Sequence, residues 1–350
     1  MCAKGSKLVL LVTGLCPSHC SYCPLSFKKG GKDVIYADEW QLQDEQDTET
    51  ILKEAAFIKA TGAGITGGDP LVVWKRTTNY IKLLKENFGP TFHIHLYTSG
   101  LQQAEHIPTM VKAGLDEIRF HPLPSTWTHM EQSPLQKIIK ETNKLSLDVA
   151  LEIPALPQKD QNILSLITWA DHQHLSWVNL NELEFSERNE TQLRQQGFAE
   201  KHELSAAVNG SQETAQRVLQ HVQDQGLDIG IHYCSVSFKD GIQLKNRLKR
   251  RAHTIAKPFE VISKEGLLIK GIIEAPLTSL QNLYNRLRTE YTIPKNALSI
   301  NTEKQRIELN ASLLETIASQ VQKQGYRCYL IEEYPTADQL EVERIPLPFS

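Results

Sequence analysis

No stretch of this 350-residue chain approaches the ~20 consecutive apolar residues that a membrane-spanning helix requires. No charge of one sign dominates either. The formal net charge is −3, with 23% of residues charged, which argues against indiscriminate binding of polyanions while leaving room for a local basic patch that holds RNA. Low-complexity tracts and long linkers are absent. Lys4 and Lys7 precede an apolar run at 8–12, yet five residues fall short of the ~7 that a secretory core needs, and the length suits a buried strand. A cytoplasmic location is expected. Cysteine is scarce: the six lie at positions 2, 16, 20, 23, 234 and 328, three of them within eight residues. A disulfide scaffold of this length would spread them, so the cluster points to metal binding in a reducing compartment.

The chain is longer than one hydrophobic core usually organises, which predicts a large domain and a smaller one. Up to about residue 235, short β-branched runs (8–12, 64–66, 92–97, 117–120, 149–153, 178–185 and 229–233) alternate with helical patterns. One pattern carries Ile51, Leu52, Ala55 and Ile58 and stops at Gly62. A second carries Tyr80, Leu83, Leu84 and Phe88 and stops at Gly89. A third opens with Ser133 as N-cap and Pro134 at the first helical position, then buries Ile138 and Ile139. A later one has Val218, Leu219 and Val222 and ends at Gly226. Six or seven β–α units in series imply a parallel sheet, as a barrel or a doubly wound sheet, with ligands at the carboxyl ends of the strands.

After about residue 257 the rhythm changes. Strands at 259–262 and 267–273 precede a helix with Leu280, Leu283, Tyr284 and Leu287. A hairpin at 298–300 and 306–309 follows. A helix with the capping-box pattern Ser312 to Glu315 comes next, then strands near 326–331 and 340–345. The order β-α-β-β-α-β is the ferredoxin-like arrangement, which by itself names no function.

The loop after the first strand reads Gly14-Leu15-Cys16-Pro17-Ser18-His19-Cys20-Ser21-Tyr22-Cys23-Pro24. Three thiolates at spacings of four and three can wrap one face of an iron–sulfur cube. Ordinary clusters take four cysteines, so three leave one iron open to an outside ligand. The competing reading is a zinc knuckle with His19 or Cys234 as fourth ligand, although no second ligand pair is present.

C-x3-C-x2-C with an aromatic (Tyr22) before the last cysteine resembles the signature of the radical S-adenosylmethionine (SAM) superfamily. Strand two ends in Gly67-Gly68-Asp69-Pro70, which resembles that family's Gly-Gly-Glu-Pro element, with aspartate one methylene shorter than the usual glutamate. The resemblance implies a [4Fe–4S] cluster on Cys16, Cys20 and Cys23, whose open iron chelates SAM. It implies reductive cleavage to methionine and a 5′-deoxyadenosyl radical, then hydrogen abstraction from a substrate. The SAM amino group would meet Gly67, Gly68, Asp69 and Pro70. Further contacts are expected from other strand ends: Thr98 and Ser99, His121, Glu152 and Asn181. Arg119, Asn179, Glu182, Glu184 and His232 lie on the same strands, half of them expected to point into the helical layer.

Cys234 is a candidate hydrogen-atom donor or extra cluster ligand; the plainer alternative is a buried free thiol. The basic run 245–251 fits a solvated helix face with Leu244 and Leu248 buried, better than an RNA grip lacking stacking aromatics. The polar segment 186–198 is a candidate lid over the radical, or a surface insertion.

The fold expected is a partial β/α barrel over residues 1–257 and an α+β ferredoxin-like domain over 258–350. The function expected is that of a radical SAM enzyme, loosely similar to proteins related to pyruvate formate-lyase activating enzyme. A low-potential donor, ferredoxin or flavodoxin, is the implied partner. The substrate is left open among a glycyl-radical protein, RNA or a nucleoside, and a small metabolite. The alternative is a non-catalytic iron–sulfur or zinc-binding interaction protein.

Overall fold

In the computed structural model, which describes residues 2–202 and 205–348, the first seven predicted runs all form strands. They are β1 (Lys7–Leu11), β2 (Gly62–Thr66), β3 (His93–Thr98), β4 (Glu117–Phe120), β5 (Asp148–Ala155), β6 (Trp177–Glu182) and β7 (Gly230–Cys234). Each pairs in parallel with the next, so the strands stand in chain order. A doubly wound sheet reverses that order at a switch point. Here there is none. With right-handed crossovers throughout, the helices fall on one face, and the sheet forms a partial barrel edged beyond β1 by a two-strand ribbon, Tyr36–Ala37 and Trp40–Gln41.

Alternation along the strands sorts the side chains. Leu8, Leu10, Ile94, Leu96, Ile118, Phe120, Val149, Leu151, Val178 and Leu180 are buried. They form the face that packs on α1 (Thr48–Phe57), α2 (Trp74–Phe88), α3 (Ile107–Ala113), α4 (Pro134–Thr142), α5 (Asp160–His172) and α6 (Ser211–Gln225). The opposite, concave face is polar. Ser133 caps α4 as predicted, its hydroxyl accepting from Leu135 N–H at 3.2 Å. Helices α3 and α5 carry no equally plain start signal: neither N-cap residue, His106 or Lys159, makes a side-chain cap bond. No helix among the described residues is long and apolar enough to cross a membrane.

The chain divides into two compact units, Met1–Ala56 with Ala60–Gln243, and Phe57–Lys59 with Leu244–Ser350. In the second, α7 (Lys245–Ile255) is followed by a short strand, Val261–Ile262. Then come β8 (Leu268–Glu274), α8 (Leu277–Thr289), β9 (Leu298–Asn301), β10 (Arg306–Leu309), α9 (Ala311–Gln322), β11 (Arg327–Glu333) and β12 (Glu341–Pro346). The sheet is antiparallel in the order β9-β10-β8-β11-β12. Without the edge strand β12 this is the ferredoxin-like order. One face packs Ile273, Ile307 and Leu309 against Leu283, Leu287, Leu314 and Val321 of α8 and α9.

The other face holds charges, most of them shut off from solvent. Lys270 pairs with Glu260 at 2.7 Å, Glu333 at 2.5 Å and Glu308 at 3.4 Å. Arg306 pairs with Glu308, Glu333 and Glu341 at 2.6 to 2.8 Å.

Two expectations are corrected here. Helix α9 is capped by Asn310, whose side chain accepts from Leu313 N–H, so Ser312 lies inside the helix and the capping box does not form. The basic run is not wholly a solvated face: Leu248 is buried as expected, but Arg251 is buried too and donates to the Pro335 carbonyl.

Candidate functional site

The cysteine loop leaves β1 and is drawn at once onto the end of β2. Gly68 N–H donates to Thr13 O at 2.7 Å, and Asp69 N–H to Leu15 O at 2.7 Å. A Cβ on Gly68 would stand 2.1 Å from the Leu15 carbonyl oxygen, so only glycine lets the two backbones meet this closely. The two sequence motifs are therefore one structural element.

Cys16, Cys20 and Cys23 are free thiols, each half-buried. Burial pushes the Cys16 and Cys20 thiols up, against the Ser18 amide beside Cys16 and the Tyr22 hydroxyl beside Cys20. A bound cation reverses that balance. Ser18, between Cys16 and Cys20, donates its N–H to Cys16 Sγ at 3.4 Å, and its buried hydroxyl lies beside the same thiol. An amide and a buried hydroxyl turned to one thiol of the loop suit a sulfur-rich group that accepts hydrogen bonds. One zinc suits the loop less well. Among the described residues, the set of three ligating atoms within 4.8 Å of one another is His93, His95 and Glu117, and not the three thiols. Around a tetrahedral zinc, thiolates at ~2.3 Å from the ion sit roughly 3.8 Å apart. At His93 and His95 the cation present is the Lys7 ammonium, 2.9 and 2.8 Å from their Nδ1 atoms.

Tyr22 anchors the middle of the loop. Its hydroxyl lies 2.8 Å from His121 Nε2, and His121 Nδ1 lies 2.6 Å from the Glu152 carbonyl. Burial holds His121 below the usual histidine range, so it is neutral at pH 7. A carbonyl only accepts, so Nδ1 carries the proton and Nε2 accepts from Tyr22 O–H. His121 thereby supports the loop with both ring nitrogens.

Asp69 is buried and fully engaged. One carboxylate oxygen accepts from Thr98 Oγ1 at 2.7 Å and Leu71 N–H at 3.1 Å. The other accepts from Ser99 N–H at 3.0 Å and the Ser99 hydroxyl. Aspartate at this position ties the end of β2 to the end of β3, and it occupies the hydroxyls of Thr98 and Ser99 in doing so. Pro70 is buried and begins a short 3-10 turn capped by Asp69. Gly67 and Gly68 keep their backbone at the strand end.

On the concave face, Glu152 of β5 accepts from Asn179 at 2.6 Å and Asn181 at 2.5 Å, and from Arg119 at 3.0 Å. Arg119 also donates to Glu117. Asn179 Oδ1 is buried and unpartnered. Cys234 is buried at the end of β7, in register with Asn181, and His232 is exposed one position lower on the same face. Glu182 and Glu184 turn elsewhere: Glu182 accepts from Val236 N–H, and Glu184 pairs with Lys239.

Sequence reasoning missed Asn189. It lies in the segment read as a lid, at 1% exposure, and donates to the Tyr22 carbonyl at 3.2 Å and the Glu184 carbonyl at 2.9 Å. That segment, which includes the short helix Glu190–Gln195, braces the cysteine loop. No local pattern marks such a residue.

Comparison with known proteins agrees with these motifs. The profile of the Radical SAM superfamily matches residues 10–122, from β1 past the end of β4. Residues 266–347 match a family described as Domain of unknown function (DUF8061). A Methanocaldococcus jannaschii protein, described as a candidate glycyl-radical enzyme activating enzyme, is 39% identical over 99% of this chain and 91% of its own. A biotin synthase of Shewanella pealeana is 31% identical over 116 residues, 32% of this chain and 30% of its own. The solved structure of Streptococcus suis SuiB bound to precursor peptide SuiA aligns at a TM-score of 0.48 with 11% identity, covering 71% of this chain; this chain spans 55% of its length. The near full-length match to the M. jannaschii protein, with the profile over the cysteine loop, places this chain in the radical SAM superfamily, as an enzyme of the class that uses a [4Fe–4S] cluster and SAM.

Proposed function

We propose that Cys16, Cys20 and Cys23 ligate the cluster and that the chain activates a partner protein by taking a hydrogen atom from its backbone. The observation that carries this reading is the clamp between the cysteine loop and Gly67-Gly68-Asp69, which sets three thiols at the mouth of a polar, concave parallel sheet. The cluster and SAM, when bound, supply a 5′-deoxyadenosyl radical. The chain's own residues do the rest. Gly67 and Gly68, half-buried at the end of β2, would meet the SAM amino acid moiety through backbone groups not already used in the clamp, since Gly68 N–H is held by Thr13 O. Asp69, through Thr98 and Ser99, fixes the distance between β2 and β3. His121, Glu152 and Asn181 form the polar wall facing the nucleoside. The Ser18 amide and hydroxyl, beside Cys16, would stabilise that residue as a thiolate ligand.

The protein substrate is supported by the described activity of the M. jannaschii relative. It is also supported by the concave face, where Lys7 is bound to His93 and His95, Arg119 to Glu117 and Glu152, and Glu152 to Asn179 and Asn181. Apart from the unpartnered Asn179 Oδ1, side chains so paired leave few polar atoms free for a small metabolite deep in the barrel. A peptide loop delivered at the rim needs none of it.

The test is anaerobic reconstitution with iron and sulfide, then reduction in the presence of SAM. Four irons and 5′-deoxyadenosine support the reading. Stoichiometric zinc, or iron without SAM cleavage, overturns it. A glycine-centred doublet in the electron paramagnetic resonance spectrum of a co-incubated glycyl-radical protein supports the partner class, and its absence with an active enzyme rejects that class.

A further inference from the structure

Just past Cys23 the chain makes a turn at 26–32 that is bonded back to the start of the cysteine loop. Gly14 N–H donates to Lys32 O, and Gly31 N–H to Gly14 O, both at 2.8 Å. The turn is thus joined to the loop on both sides, by covalent chain after Cys23 and by hydrogen bonds just before Cys16. At its tip Phe27 is 60% exposed. Lys28 and Lys32 are exposed, and among the described residues neither ammonium has a hydrogen bond or an ion pair. Arg188 adds a third cation. Its guanidinium lies over Gly30, where a Cβ would come within 1.4 Å of it, and it too has no acidic partner among the described residues. The acids on these segments are Asp33, held by Arg76 at 2.7 Å and by Thr13, and Glu187, which is exposed. An exposed aromatic and three cations without an acidic partner among the described residues are therefore gathered at the turn that follows the cysteine loop, in a chain whose total charge is −3.

We infer that this turn is the docking surface for an acidic one-electron carrier protein, resting on the reading that Cys16, Cys20 and Cys23 hold a cluster. In the step served, the carrier is oxidised by one electron and the cluster reduced by one, with no bond or proton changing hands. The patch has the right size and make-up. Redox encounters are small and short-lived, and they rely on opposite charge for fast association more than on buried area. One aromatic supplies an anchor and the cations supply steering. A single-stranded nucleic acid would call for several stacking aromatics along a basic groove, and Phe27 stands alone.

The experiment follows bleaching of the iron–sulfur absorbance in a stopped-flow instrument, with reduced flavodoxin as the carrier, in wild type, Phe27→Ala and the double variant Lys28→Glu/Lys32→Glu. At low salt the charge reversal should slow reduction by about tenfold or more and remove the steep salt dependence of the wild type. Reduction by methyl viologen radical, a small cation that needs no docking surface, should not slow. Unchanged reduction by flavodoxin overturns the inference, and so does an equal slowing with both reductants, which assigns the turn to loop integrity. Calorimetry of flavodoxin binding to the chain without a cluster gives a second readout. Binding weakened by the charge reversal supports the patch, and no binding by the wild type overturns it. A chain that binds flavodoxin but never assembles a cluster would refute the proposed function and with it the electron transfer at this surface, whereas a cluster that assembles and is reduced equally well in the charge-reversal variant would overturn the docking surface alone.

Discussion

The side-chain amide of Asn189 donates to the backbone carbonyl of Tyr22 at 3.2 Å, across 167 residues of sequence. The same group reaches the Glu184 carbonyl, and its oxygen accepts from Ser186 N–H at 2.8 Å. One buried amide therefore staples the chain after β6 to the peptide between Cys20 and Cys23. Asn189→Ala leaves these backbone groups without partners and should cost about 1–3 kcal/mol. Thermal denaturation should show a fall of several degrees. Iron retained through gel filtration should fall with it. Unchanged iron content would remove Asn189 from any role in holding the loop.

Asp69 offers a sharper test, because its neighbours are all donors. Asp69→Asn points an amide N–H₂ at two of them and should destabilise by about 1–3 kcal/mol. Asp69→Glu restores the residue usual in the resembled motif, yet adds a methylene to a site that is 1% exposed, at a cost of about 1–3 kcal/mol. Both variants should bind SAM more weakly in equilibrium dialysis. A glutamate variant that binds SAM more tightly would show that the side chain, and not the backbone, is the contact.

Cys16→Ala, Cys20→Ala and Cys23→Ala should each abolish 5′-deoxyadenosine formation. Cys234→Ala should keep it within about twofold, since the proposed ligand set takes only the three loop thiols. The assay is chromatography of quenched single turnovers. Activity surviving in any of the three loop variants would contradict the ligand set.

The second unit should show a marked acid limb. Burial works to raise Glu308, but Lys270, Lys257 and Arg306 outweigh it and hold the carboxyl down to about 2. A carboxyl with a lower folded than unfolded pKa stabilises fully above the unfolded value, ~4.3, and the contribution fades as pH falls towards 2. The amount is on the order of 3 kcal/mol. Lys270 is shifted the other way: burial lowers it and three glutamates more than restore it, so its contribution is lost only at high pH. Hydrogen exchange of peptides spanning β9 and β10, corrected for intrinsic rates, should show protection falling between pH 5 and pH 3. Glu308→Gln should lower protection already at pH 7 and flatten the pH dependence.

Much of this was legible locally. The Ser133-Pro134 start of α4, the Gly226 end of α6 and the strand runs depend on residues adjacent in sequence, and they form as read. The cysteine spacing was equally plain. The rest depends on what a side chain meets across the fold. Asp69 could be read as a shortened ligand until β3 placed Thr98 and Ser99 on both its oxygens. Arg251 looked solvated because helical periodicity does not announce a carbonyl 84 residues away. Asn310 took the cap from Ser312 because the backbone of α9 turns helical two residues earlier than the capping-box pattern implies.

The charged face of the C-terminal sheet also acts on how that sheet is reached. Lys270 points to the ionic side, while its neighbour Gly271 faces Leu314 of α9. A slip of β8 by one residue would turn the ammonium into the apolar layer and strand Glu308 and Glu333 without it. Misaligned pairings of this sheet are therefore far costlier than they would be with leucines on both faces. The ion lattice thereby acts as a register key, which only one alignment of β8 between its neighbours fits.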